Sequence, residues 1–131
     1  MISRGPLSVL AAVLLIGQAL STSACRKAEA LEEARQLTGG EPSRGEAAIG
    51  RYGCGGCHEI PGIRNARGTV GPPLTGIARR TYLAGRVANS PDGMMRWIQH
   101  PQKIEPGTAM PEMQVTDQDA RDIAAYLYLL R

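Results

Sequence analysis

The 131-residue chain contains no phenylalanine and a single tryptophan, Trp97. So few large rings leave little to fill the core of a small domain, which implies that something other than side chains helps to fill it. Histidine is scarce too, with only His58 and His100, and there are three cysteines. A structural zinc site, which needs four ligands at suitable spacing, is hard to assemble from that stock. No segment alternates apolar and polar residues as a half-buried strand does, so the expected class is all-α with long loops. Basic runs with interleaved aromatics are missing, and no nucleic-acid surface is expected. The formal charge is +3 and the pI about 9.0. It is unevenly spread: residues 51–103 carry eight Lys/Arg against two acids, and residues 104–131 carry two against five. The basic half suits an acidic partner or phosphate; the plainer alternative is a solvated arginine surface.

Long hydrophobic runs are also limited. Leu7 to Leu20 is apolar except at Ser8, Gly17 and Gln18, which is short for a membrane span. With Arg4 before it and small residues after it, the segment reads as an export signal over residues 1–24. Two endings are open. Plain cleavage would release a soluble periplasmic protein. Alternatively, Ser23-Ala24-Cys25 resembles the lipobox of bacterial lipoproteins, in which Cys25 becomes lipidated and anchors the chain to the membrane; Thr22 stands where such motifs usually carry Leu. Either ending places the domain in the periplasm, where an unoccupied Cys pair would oxidise. Residues 25–42, helix-prone and then broken by "TGGEP", read as a tether, and residues 43–131 as the domain.

Within the domain, Ser43 and Glu46 make a capping-box pattern for a helix ending near Tyr52. Loops rich in Gly and Pro follow to about Gly76. Ser90 or Asp92 caps a helix with Met94, Trp97 and Ile98 on one face, which Pro101 stops. Thr116 caps the clearest helix, with Ile123, Tyr126, Leu127 and Leu130 in one stripe. Loops this long make sense when they wrap a large apolar group.

"CGGCH", Cys54 to His58, is where the chemistry concentrates. A zinc clip would lack a fourth ligand at finger spacing. A thioredoxin-like dithiol needs a strand before the motif and a helix starting at it, whereas here a helix ends before it. Covalent attachment of haem fits: each thiol adds to one vinyl group, Gly55-Gly56 lets the backbone turn over the macrocycle, and the next residue points its imidazole at iron. Among possible second ligands, Met94 and Met95 belong to a helix start and read as core. Met110 lies in a stiff segment between Pro106-Gly107 and Pro111, with Met113 and His100 as rivals.

Taken together, "GCGGCH", "GPPLTG" (Gly71–Gly76), "PGTAMP" (Pro106–Pro111) and "DARDIAAYLYLL" resemble, in order and spacing, the class I c-type cytochromes. Within that class the domain is most similar to the cytochrome c domain at the C-terminus of some bacterial oxidase subunit II proteins; no copper-binding domain precedes it here, which implies a free-standing relative. The resemblance implies a small all-α cytochrome c fold of three to five helices around one covalent haem c. It implies thioethers at Cys54 and Cys57, proximal ligation by His58 oriented by the Pro72 carbonyl, and distal ligation by Met110. It further implies that Arg80, or Arg79, reaches a haem propionate and that Trp97 packs near the haem edge. Gly45, Ile49 and Gly50 do not fall in the register of the mitochondrial members, so no helix-crossing contact is carried over.

The function expected is one-electron transfer rather than catalysis, in a periplasmic respiratory chain, with a redox donor and acceptor such as a bc-type complex and a terminal oxidase. Two rivals share the haem: an accessory haem subunit fixed to a dehydrogenase or oxidase, and an enzyme or sensor with a labile sixth ligand.

Overall fold

The structure, a computed structural model, describes residues 24–131. The signal segment expected over residues 1–24 lies outside the described residues except for Ala24. The chain divides into two units, Met1–Glu32 and Glu33–Arg131. Of the first, residues 24–32 are described and are helical, with Cys25 exposed. Among the described residues no helix is long and apolar enough to cross a membrane.

Helix α1 runs through residues 24–38. Its Ala/Glu-rich sequence favours helix, and Gly39, at φ 67°, ends it in the left-handed conformation. The segment expected to be a tether is different from residue 33 onward. Ala34 is buried and joins the core, and Thr38 is buried with its hydroxyl donating to Ala34 O at 2.8 Å. Arg35 pairs with Glu41 at 2.7 Å, and Arg131 reaches back to Glu33. Residues from Glu33 onward thus share one compact unit with the helices that follow. The physical reason is size: small residues, which offer little area alone, permit close approach. Gly40 shows it directly, because a Cβ there would lie 2.2 Å from Arg121 O.

Helix α2, Pro42–Arg51, starts two residues earlier than the Ser43 pattern implies, and its cap is Glu41. The Ser43/Glu46 capping box does not form. Pro42 occupies the first turn, where no N–H is needed, and Glu41 N donates to Asp122 Oδ1 at 2.7 Å. Helix α5, Asp117–Leu127, is capped as expected by Thr116, whose Oγ1 accepts from Asp119 N at 3.1 Å. α5 crosses α2 with Gly45 against the Asp122 carbonyl. Ala48, Ile49, Ala120, Ile123 and Ala124 close the crossing, all 2 % exposed or less.

Helix α3, Pro91–Gln99, is capped by Ser90 Oγ, which accepts from Gly93 N at 3.1 Å, and it buries Met94 and Ile98. Pro101 ends it and opens the short α4, Pro101–Ile104. The all-α expectation holds, with one addition. Strands β1, Tyr82–Leu83, and β2, Val87–Ala88, form a hairpin pairing Tyr82 with Ala88 and Leu83 with Val87. Strands of two residues are too short to show alternation in sequence.

Asp122 is 1 % exposed, a buried carboxylate at the helix crossing. It accepts from Arg44 at 2.8 and 2.9 Å, from Glu41 N and from Gln118 at 3.1 Å. Burial pushes its pKa up, but these donors together outweigh burial and hold it below the ordinary carboxylate value. A depressed folded pKa means stability that is fully present above about pH 4 and lost as pH falls through the folded value. Asp122→Asn is therefore expected to lose about 1.5–3 kcal/mol at pH 7. The gap to wild type should close on acidification, as read from denaturant midpoints at several pH values; a gap constant with pH would contradict the assignment.

Candidate functional site

Gly53, at φ 68°, takes the left-handed conformation that stops α2 and turns the chain into a single 3-10 turn, Cys54–Gly56. Cys57 N and His58 N both donate to Cys54 O, at 3.2 and 3.0 Å. Two thiols and an imidazole thus leave one turn. Small residues behind it are obligatory. A Cβ on Gly55 would sit 2.7 Å from Ala66 Cβ, and one on Gly68 would lie 2.4 Å from the Cys57 carbonyl carbon. Gly68 N donates to Gly55 O at 3.1 Å, tying the returning loop to the turn.

The imidazole of His58 is fixed from two sides. Its Nδ1 faces Pro72 O at 2.8 Å. A carbonyl accepts only, so Nδ1 carries the proton and Nε2 keeps its lone pair for a metal. Gly71 lies against the ring: a Cβ there would come within 2.3 Å of Cε1 and 2.6 Å of Nδ1. Gly71 N in turn donates to Cys57 O at 2.8 Å. The next residue of the loop is also held, since Arg80 donates to Pro73 O at 2.5 Å. Arg79 is exposed.

Cys54 and Cys57 are both free thiols. Burial pushes the Cys54 thiol up, and the neighbouring Cys57 adds to the shift, which outweighs its own backbone hydrogen bond. A dithiol redox motif needs the opposite, a thiol activated by a lowered pKa. Among the described residues no group of three or more His, Cys, Asp or Glu side chains is placed to share an ion, so Cys54, Cys57 and His58 do not form a ready zinc site. The donor set that remains, two thiols for covalent links and one Nε2 lone pair, fits an iron porphyrin attached through sulfur.

Among the methionines, Met110 is half-buried in the loop that follows α4, whereas Met113 is 40 % exposed. Met94 is committed to the core and Met95 packs on it. His100 sits between α3 and α4, with Nδ1 3.9 Å from Glu112 and without a hydrogen bond. Trp97 is half-buried against the core. Among the described residues no hydrogen bond joins the segment 54–74 directly to the Met110 loop; each is tied separately to the helical frame.

Sequence reasoning missed those ties. Asn89 is a hub: its Nδ2 donates to Ile77 O at 2.8 Å and Arg80 O at 2.7 Å, and its Oδ1 accepts from Tyr128 OH at 3.2 Å. Tyr126 OH donates to Pro61 O at 2.7 Å. Gln102 bonds the Met110 loop. A lone Asn or Gln carries no local signal of such a role, although the tyrosines inside an apolar stripe hint that their hydroxyls have partners.

Comparison with known proteins agrees with this arrangement. A family model described as cytochrome c matches residues 42–130. Over 90 residues the chain is 29% identical to cytochrome c oxidase subunit 2 of Alkalihalophilus pseudofirmus, a match covering 68% of this chain and 25% of that protein. The chain thus spans about a quarter of that relative's length.

Proposed function

Because the chain belongs to the cytochrome c family, whose members bind haem c covalently through a motif that Cys54 and Cys57 fit, we propose that it is a one-electron carrier in which His58 and Met110 would hold the haem iron. Haem-based electron transfer follows from the family; the ligand pair, the location and the partners are our reading. Bound haem c supplies a single ferric/ferrous couple.

The observation that carries the reading is the His58–Pro72 bond, made by a ring packed on Gly71. Pro72 O holds the proton on Nδ1 and raises the basicity of Nε2. Met110 offers a soft, neutral thioether, which favours the ferrous state and pushes the potential up. Two strong protein ligands leave no position for substrate, so the residues serve to hold geometry and to limit water. Arg80, now bonded to Pro73 O, is proposed to turn part of its donor capacity to a propionate, and Trp97 to cover the haem edge. Export, and attachment to the membrane through Cys25, would set the domain beside respiratory partners, with a terminal oxidase the proposed acceptor. The likeness to an oxidase subunit supports that direction.

The test is Met110→Ala in the matured holoprotein. The ferric thioether charge-transfer absorption should vanish, the reduced form should take up carbon monoxide, and wild type should resist it. A Met110→Ala spectrum identical to wild type would remove Met110 as ligand, and uptake of carbon monoxide by the reduced wild type would defeat the saturated-carrier reading in favour of a sensor or enzyme.

A further inference from the structure

The loop from Glu105 to Pro111 has little structure of its own. Its backbone bonds are Glu105 N to Pro101 O at 2.9 Å and Thr108 N to Glu105 O at 3.1 Å, and Gly107 sits at φ 86°. Met110 N reaches only Thr108 Oγ1, at 3.4 Å. Yet one side chain spans it. Gln102, half-buried in α4, donates from Nε2 to Thr108 O at 2.6 Å and to Met110 O at 2.9 Å. Its Oε1 accepts from Gly107 N at 3.3 Å. A primary amide has two N–H donors and a carbonyl acceptor on one plane, and this site uses all three. Leucine would match the size and supply none. Glutamate would keep the acceptor and set a charge against two carbonyls. A second staple, Arg86 with Glu105 at 2.7 Å, is more exposed and grips the loop only at its entry.

We propose that Gln102 is the positioning residue for Met110. By fixing the Met110 carbonyl it fixes the Cα, and with it the direction in which the thioether leaves the loop. It also raises the work an external ligand must do to swing the loop aside. The proposal rests on the reading of Met110 as distal ligand. It concerns how firmly that ligand is held, which nothing in the motif "PGTAM" specifies.

The experiment titrates ferric holoprotein with imidazole while following the thioether charge-transfer absorption, for wild type, Gln102→Leu, Gln102→Glu and Met110→Ala. Haem content and far-UV circular dichroism identify the folded variants, and two Gln102 variants keep the test open if one fails to fold. Both should bind imidazole about ten- to a hundredfold more tightly than wild type, as expected from losing two neutral hydrogen bonds on the ligand loop in Gln102→Glu and three in Gln102→Leu. Met110→Ala marks the limit with no ligand to displace. Folded Gln102 variants with wild-type imidazole affinity would overturn the proposal while leaving Met110 as ligand. A wild type without the thioether absorption, binding imidazole as Met110→Ala does, would overturn the ligand reading and the proposal with it. A global loss of stability alone would not change native-state imidazole affinity, so the readout separates positioning from mere folding.

Discussion

Gly45→Ala is expected to destabilise the holoprotein by about 3 kcal/mol or more, and Gly45→Leu to leave no folded protein. A Cβ on Gly45 would lie 2.0 Å from Asp122 O, 2.6 Å from its carbonyl carbon and 3.0 Å from Tyr126 Cβ. Two of those atoms are backbone, inside α5, and cannot swing away as a side chain would. The helices would have to separate, and separation opens the core around Ala48, Ile49, Ala120 and Ala124, which are all 1 % exposed or less. It also stretches the bonds from Glu41 N and Arg44 to Asp122. Gly50, in the same helix, meets nothing within 4 Å of its virtual Cβ. Gly50→Ala should therefore act with the opposite sign, stabilising by about 0.5–1 kcal/mol through helix propensity. Guanidinium midpoints by far-UV circular dichroism read both. A Gly45→Ala protein as stable as wild type would mean that the crossing is looser than its geometry.

That contrast shows which parts of the molecule are legible in one dimension. Caps are: Ser90 and Thr116 act on N–H groups three residues away, so a short window contains both partners. The haem motif is as well, because Cys54, Cys57 and His58 leave a single turn. The capping box at Ser43 has the right letters and is still unused, since Asp122, a carboxylate 81 residues beyond Glu41, takes the Glu41 N–H at the N-terminus of α2. Local pattern loses there to a long-range partner that no window includes. The packing of Ala34 and Gly40 was hidden for a related reason. Ala34 and Gly40 look too small to matter until their neighbours are known, and then their smallness is the point. Asn89 and Gln102 are the extreme case: amides whose partners are main-chain carbonyls have no complementary letter to match. Pro72 was found by resemblance alone, because what it gives His58 is a carbonyl that every residue owns.

The same distinction between backbone and side chain sets the last expectation. Gly71→Ala should yield a protein that keeps its covalently attached haem but not its native iron environment. Attachment depends on the thiols of Cys54 and Cys57, whereas Gly71 bonds only the backbone carbonyl of Cys57. The imidazole does depend on it: an added Cβ would lie 2.3, 2.6 and 2.8 Å from three atoms of the His58 ring. Ordinary carbon contacts are about 3.5–4 Å, so ring or loop must shift by roughly 1 Å. Moving the loop strains Gly71 N–Cys57 O at 2.8 Å, and moving the ring breaks Nδ1–Pro72 O at 2.8 Å. Either way the ligand loses its direction or its basicity. Axial ligation sets haem potentials over about 0.8 V, so the loss should appear as a shift on the order of 0.1 V, together with high-spin ferric signal in electron paramagnetic resonance. Pro72→Ala is the matched control. It removes a ring and keeps the carbonyl, so the spectrum should stay native with only a small loss of stability. Denaturing mass spectrometry distinguishes attachment from ligation, since thioether-bound haem remains with the chain in both variants. A Gly71→Ala protein with wild-type potential and spin state would show that the ring does not depend on the bare backbone beneath it, and the case for His58 as a rigidly held ligand would fall.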